Sequence, residues 1–308
     1  MKEIIRDNFS ILFGSDGYFK LANFIQENNF KKILILTDEN TKVHCLDLFF
    51  SNIKKTDKKI AEMVSSISYN YSVEPGENAK NLKTSNHIWE FLTDNGFKRN
   101  DLIINLGGGM VSDLGGFVAS TYMRGIQFVN IPTTLLGMVD ASIGGKTGID
   151  LNGIKNIIGT FQFAKLVLID IEFLNSLSKK QIAAGYAEMI KHSLIDKNHE
   201  WEKISKINSL EDISLEMIYK SINIKVNIIE SDPMESNIRK HLNFGHTLGH
   251  AIETYLLGSE REILHGEAIA IGLVLETYIS YLKINFDLKI TKEIKNYINQ
   301  HYEIIEFS

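Results

Sequence analysis

Four short runs of apolar residues, at 33–36, 102–104, 126–131 and 166–169, mark the first half of the chain. Runs of this length without polar alternation fit strands buried on both faces, as in a parallel sheet. Between several of them the apolar positions switch to helical spacing, over 18–29 and 112–123, which predicts βαβ units. Residues 1–170 therefore read as an α/β nucleotide-binding domain with a parallel sheet. After Asp170 the strand pattern stops, and residues 179–196, 213–230, 241–257, 265–283 and 290–301 carry helical periodicity instead. An all-α C-terminal domain is predicted over 171–308. With no internal repeat, low-complexity tract or Gly/Ser linker, the two domains are expected to pack tightly around a cleft.

Composition narrows the function classes. The 308 residues, 44% hydrophobic and 23% charged, exclude disorder and fibrous repeats. A net charge of -5 argues against a general nucleic-acid binder. The lone cysteine, Cys45, excludes an internal disulfide and a Cys-rich zinc site, and fits a reducing, cytoplasmic setting. No apolar run approaches the roughly 18 residues of a membrane span, and residues 1–30 lack the pattern of a signal peptide. Neither a membrane nor a nucleic acid is expected as a partner.

Candidate chemistry gathers in three places. Twelve of the 22 glycines lie between Gly107 and Gly159, and in NLGGGMVSD (105–113) a buried run enters three glycines and then a helix. Such a turn offers backbone N–H groups to a phosphate, with no side chains to hold it off. In TDEN (37–40), Asp38 at the end of a strand fits either a ribose contact or a helix cap. Four of the nine histidines fall between His241 and His265, and His246 and His250 in NFGHTLGH share a helix face. Two imidazoles on one face can hold a metal; Glu188, His192 and His265 are further potential ligands among which spacing does not choose. Lys146, Lys155, Lys191 and Arg239 sit in apolar, glycine-rich settings that suit an anionic substrate. Together these features point to an enzyme acting on a phosphorylated, carboxylated small molecule with a nucleotide cofactor.

The blocks PGENAK (75–80), GGGMVSDLGGF (107–117), TYMRG (121–125), IPTTLLGMVDASIGGKTGID (131–150), GIKNIIG (153–159), GYAEMIKH (185–192), RKHLNFGHTLGHAIE (239–253) and LHGEA (264–268) run through nearly the whole chain. In content, order and spacing they resemble the 3-dehydroquinate synthase family of the sugar-phosphate cyclase superfamily. The resemblance implies that NAD is held by Asp38, Asn40, Glu77, Lys80, Gly108, Gly109, Met110, Asp113, Thr133 and Thr134. Asp140, Lys146, Lys155 and the segment Phe173, Leu174, Asn175, Ser176 would add further contacts. It implies zinc, or cobalt, on Glu188, His246 and His265, with His250 facing the substrate. Lys146, Asn156, Lys191, Asn243 and His250 match positions around the substrate phosphate and reacting carbons, and Lys225 and Arg239 those around its carboxylate and hydroxyls, with Glu235 as a supporting acid. Arg124 matches an arginine lent to the neighbouring subunit, so a homodimer is implied.

The implied reaction is a redox-neutral cyclisation of 3-deoxy-D-arabino-heptulosonate 7-phosphate to 3-dehydroquinate and phosphate, a lyase step of the shikimate pathway to aromatic amino acids. Rival readings are a cyclase acting on a sugar phosphate without a carboxylate, a metal-dependent polyol dehydrogenase that releases NADH, and an inactive NAD-binding homologue. Arg239 with Lys225 weighs against the first, and the 131–150 and 153–159 blocks against the second. Family members continue past the position of Ser308 through an Asp-Lys-Lys segment that nothing here matches. The 308-residue form is therefore expected to be weakened, by about 1.5–3 kcal/mol for one lost charge-assisted phosphate contact.

Overall fold

The computed structural model describes residues 2–196, 200–233, 235–256, 258, 259, 261 and 263–302. They fall into two compact units, Met1–Ser176 and Leu177–Ser308.

In the first unit, β1 (Glu3–Ile5) and β2 (Ser10–Phe13) lead into α1 (Gly14–Asn28) and then β3 (Ile33–Asp38). Three helices follow, α2 (Glu39–His44), α3 (Leu46–Thr56) and α4 (Lys58–Ile67), before β4 (Ser68–Val73), α5 (Leu82–Asp94) and β5 (Leu102–Gly107). The chain continues through α6 (Gly109–Thr121), β6 (Gln127–Pro132), the hairpin β7 (Lys146–Leu151) and β8 (Ile154–Phe161), and β9 (Leu166–Ile169). Among the described residues seven strands form one sheet in the order β1-β2-β9-β6-β5-β3-β4, parallel except at β1. The apolar runs account for its centre: every residue of β3 and β5 is buried. Because β4 and β5 flank β3 on opposite sides, the order reverses there. A ligand crevice in such a sheet lies beyond the carboxyl ends of the strands at that switch point, here Asp38 and Gly107.

Local chemistry starts the helices. Asp38 caps α2 in a reciprocal box with Thr41, Asp57 accepts the Lys59 and Ile60 N–H groups ahead of α4, and Asn81 caps α5. The helix expected over 112–123 is α6, which ends at Thr121; a 3-10 turn, Tyr122–Arg124, then takes Met123 and Arg124 to φ 49° and 63°.

The second unit is helical throughout its described residues, as its periodicity indicates. It comprises α7 (Lys179–Ile195), α8 (Trp201–Ile204), α9 (Leu215–Ser231), α10 (His246–Leu256), α11 (His265–Ile284) and α12 (Leu288–His301). The continuous helix predicted over 241–257 is broken: a 3-10 turn spans Ile238–Asn243, and Gly245 at φ 81° separates it from α10. The break has a packing cause. A Cβ on Gly272 of α11 would overlap the Gly245 carbonyl oxygen, so the two backbones touch where the turn is made.

Candidate active site

In the first unit the cradle forms where β5 ends. Gly108 is the N-cap of α6 and no side chain caps the helix, which leaves its first N–H groups available to an anion. The three glycines have a second reason for being there. A Cβ would lie 2.5 Å from Val111 at Gly107, 3.0 Å from Thr134 at Gly108 and 2.8 Å from Ala141 at Gly109. The chain's own packing thus demands them independently of any phosphate. Asp38 serves as the α2 cap, its Oδ1 accepting the Thr41 N–H at 2.9 Å. Near it the buried thiol of Cys45 is pushed up to about 11, chiefly by burial, with the Ser176 and Thr133 hydroxyls working against that rise and Asp38 adding to it. Three of the expected cofactor positions thus act on one side chain. Asn40 is exposed on α2, and Phe173 and Leu174 turn their side chains into the core, leaving only backbone for a ligand.

The other polar residues of this unit gather around Lys80, which is 3% exposed. Its ammonium meets Glu77 at 2.6 Å, Asp113 at 3.3 Å and Asp150 at 3.7 Å, and donates to Asn156 Oδ1 at 2.8 Å. Burial works against this charge, but Asp113 and Glu77 outweigh it and hold the lysine above its ordinary value. With one cation among several acids, Asp113 is driven up to about 7, chiefly by burial and also by Glu77 and Asp140, despite Lys80. Asn156, at φ 55°, is held by its N–H to Asp150 at 2.8 Å. Lys146 and Lys155 are exposed on the β7–β8 hairpin, and Arg124 is exposed on the turn after α6.

In the second unit, α7, α10 and α11 bring acid and imidazoles together. Glu188 and Lys191, buried one turn apart on α7, form an ion pair through Glu188 Oε2. Glu188 Oε1 faces His246 Nε2 at 3.5 Å and His265 Nε2 at 3.9 Å. Ligands about 2.0–2.2 Å from one tetrahedral ion stand roughly 3.4 Å apart, so His246 is at that spacing from Glu188 Oε1 and His265 about 0.5 Å beyond it. The outer ring nitrogens point away to oriented partners, His265 Nδ1 to Glu253 at 3.1 Å and His246 Nδ1 to the Phe244 carbonyl at 3.3 Å. Such partners fix the Nε2-ligating tautomer. His250 is exposed, its ring 5.2 Å from that of His246 and 5.4 Å from that of His265, and a His246, His250, His265 set also converges closely enough for an ion. His192 Nδ1 lies 2.8 Å from Ser221 Oγ, and His192 and Glu188 also offer ligand atoms within 4.8 Å of one another.

The turn between α9 and α10 carries the remaining residues. Backbone N–H groups of Asn237, Ser236 and Arg239 converge on Asp232 and hold its carboxyl down to about 2. This ordered loop places Arg239, 3% exposed, with a guanidinium N–H on the Pro233 carbonyl at 2.7 Å, and Glu235 at φ 58°, which accepts from Asn243 at 2.9 Å. Lys225 of α9 is buried as well. Three contributors escaped the sequence reading. Glu253 has a visible signal, since it falls seven residues after His246 on the same helical face. Asp150 and Glu276, which accepts the Gly245 and Leu248 N–H groups at 2.8 and 3.1 Å, are recognisable only once the chain is folded.

Comparison with known proteins agrees with this layout. Residues 70–184 match the family model for the 3-dehydroquinate synthase N-terminal region and residues 185–307 that for the C-terminal region. A 3-dehydroquinate synthase of Parabacteroides distasonis is 40% identical over 94% of this chain and 80% of its own length. One of Streptococcus thermophilus is 46% identical over 71% of this chain and 62% of its own length. The chain thus spans four-fifths or less of these two relatives. Among solved structures, 2-deoxy-scyllo-inosose synthase complexed with carbaglucose-6-phosphate, NAD+ and Co2+ superposes with a TM-score of 0.85 at 24% identity, over 100% of this chain and 83% of that one. A 2-epi-5-epi-valiolone synthase from Streptomyces hygroscopicus with NAD+ and Zn2+ bound gives 0.76 at 22%, over 98% and 82%. At these identities the structures speak for the fold alone. Through its two matched regions and its relatives, the chain belongs to the 3-dehydroquinate synthase family.

Proposed function

We propose that the chain acts as a 3-dehydroquinate synthase, converting 3-deoxy-D-arabino-heptulosonate 7-phosphate to 3-dehydroquinate and phosphate with catalytic NAD and a divalent metal, zinc or cobalt. The observation that carries the proposal is the meeting of His246 Nε2 and His265 Nε2 on one oxygen of Glu188, beside the buried Lys191. When bound, the metal supplies Lewis acidity to a substrate hydroxyl, and NAD accepts and returns a hydride. The rest falls to the chain's own side chains. Lys146, Lys191, Asn156, Asn243 and His250 bind the phosphate and the atoms near it, and Lys225 and Arg239 pair with the carboxylate. Lys225 and Arg239 are both buried, 6% and 3% exposed. Asp38, Asn40, Glu77, Lys80, Asp113, Asp140, Lys155, Thr133, Thr134, residues 108–110 and residues 173–176 hold NAD. Clamping the substrate at both ends supplies much of the barrier reduction by positioning.

The test is phosphate release from the heptulosonate phosphate with NAD and Zn2+ present. Release without net NADH formation supports the proposal; NADH accumulating in step with turnover would indicate a polyol dehydrogenase, and no release would sink the assignment. Sedoheptulose 7-phosphate, which lacks the carboxylate, should not be turned over.

The same proposal includes a homodimer in which Arg124 enters the neighbouring site. Support comes from the exposed turn that carries it and from Ile154, Ile157 and Phe161, each more than half exposed on β8. Mixed Arg124→Ala and Glu188→Gln protomers should regain activity that neither has alone; failure to complement removes the shared-site role.

A further inference from the structure

Helix α7 has a second working face. Met189 and Ser193 lie four residues apart on it, roughly 150° around the axis from the face of Glu188 and Lys191. There α7, α8 and α9 line a cavity of about 210 Å³. Met189, Ile204, Ile207, Met217 and Ile224 give it an apolar lining, while Glu200, Lys203 and Lys220 stand among the residues around it. Protein interiors are close-packed, so an apolar concavity of this size, above the roughly 150 Å³ that holds one benzene, has room for a single ring or branched chain.

The polar atoms restrict what fits. Ser221 Oγ is engaged with His192 at 2.8 Å, and Ser193 donates to the Ile190 carbonyl at 2.7 Å. With both hydroxyls occupied, the depth of the cavity accepts an apolar body and offers little to a polar one. Among its charged residues Lys203 is already paired with Glu200, whereas Lys220 meets Glu216 only at 3.9 Å in a solvent-exposed pair that a ligand readily replaces.

We infer that this cavity binds a small acid, with an apolar body the size of one aromatic ring or branched chain and a single carboxylate directed to Lys220. None of the proposed metal ligands lines the cavity, and the inference does not depend on the activity proposed above.

The experiment is titration of the full chain, with NAD and Zn2+ bound, by 3-phenylpropionate and by its uncharged counterpart 3-phenylpropanol, followed by calorimetry and ligand-observed NMR. The acid is expected to bind with a dissociation constant of about 1 mM or lower, as a ligand of this size allows, and the alcohol at least about tenfold more weakly. Met217→Trp, which fills the cavity, should abolish acid binding, and Lys220→Met should weaken it about tenfold while circular dichroism and metal content stay unchanged. Equal binding of acid and alcohol overturns the carboxylate assignment. Acid binding that survives Met217→Trp in a folded protein, or no binding of the acid at 20-fold that concentration, about 20 mM, overturns the site. Ile224→Trp serves as a second cavity-filling variant should Met217→Trp fail to fold.

Discussion

Gly266→Ala is expected to damage the metal centre without altering a single ligand. Gly266 follows His265 at the start of α11, where that helix crosses α7. A Cβ there would sit over 1 Å inside the 3.4 Å at which ordinary contact begins with the backbone oxygen of Ala184. The obstacle is backbone, so no rotamer change relieves it. Sideways escape is blocked too, because Gly272 further along α11 lies against the Gly245 carbonyl. The helices must separate by about 1 Å, at an overpacking cost of roughly 1–3 kcal/mol. At about 2–4 °C per kcal/mol this lowers the unfolding temperature by about 2–12 °C. His265 Nε2 would move beyond its present 3.9 Å from Glu188 Oε1. Metal–ligand bonds tolerate only about 0.2 Å of error, so under the proposed ligand set a bound ion would lose one of three ligands. The assays are thermal unfolding with and without Zn2+ and metal affinity by chelator competition, where a loss of at least about 10- to 100-fold is expected, matching what outer-shell changes alone produce. A variant with wild-type zinc affinity and an unfolding temperature within about 1 °C of the parent would refute the claim that helix contact at Gly266 sets the ligand geometry.

Glu253→Gln removes the charged partner of His265 Nδ1 at 3.1 Å and should weaken metal binding about 10- to 100-fold in the same competition assay, with little change in fold. Lys80→Met leaves Glu77, Asp113 and Asp150 without their shared cation and should cost about 3–5 kcal/mol in urea unfolding at neutral pH, with partial recovery as acid protonates the carboxylates; a loss independent of pH would contradict the electrostatic cause. For Asp113, the folded value of about 7 lies above its ordinary 3.8, so folding favours the protonated form. Its contribution is complete below about pH 4 and is lost as pH rises through about 7. Between pH 5 and 8 the NAD-free wild type should therefore lose about 1–3 kcal/mol more stability than Asp113→Asn, and identical slopes would show that the carboxyl titrates normally.

The parallel core was legible because burial on both faces leaves an unbroken apolar run, as in β3 and β5. The strands that left no such trace are the less buried ones. β4, SYNYSV, is mostly half-buried at the sheet edge, and β8 is exposed along nearly its whole length, so neither needs an apolar run to form. Helix α10 shows the opposite failure. Residues 241–257 have sound helical periodicity, yet Leu273 and Gly272 press on Gly245 from a helix nearly thirty positions away, and local spacing carries no mark of that contact.

The proposed metal ligands were half legible for a related reason. Spacing of four puts His246 and His250 on one face, but which acid completes the set depends on how α7 meets α10 and α11. His192 and Glu188 are also four apart on α7, yet Ser221 engages the imidazole while Glu188 Oε1 stands before two Nε2 atoms. What decides between them is backbone approach at Gly249, Gly266 and Gly272, where α11 comes within reach of α7 and α10. Clustering drew attention to Gly107, Gly108 and Gly109 as a place for a phosphate, and there the side chains of Val111, Thr134 and Ala141 already account for the missing Cβ atoms. The scattered glycines of the helical unit carry the sharper functional consequence. Each admits a neighbouring backbone, and together they bring α7, α10 and α11, which carry the three proposed ligands, close to one another.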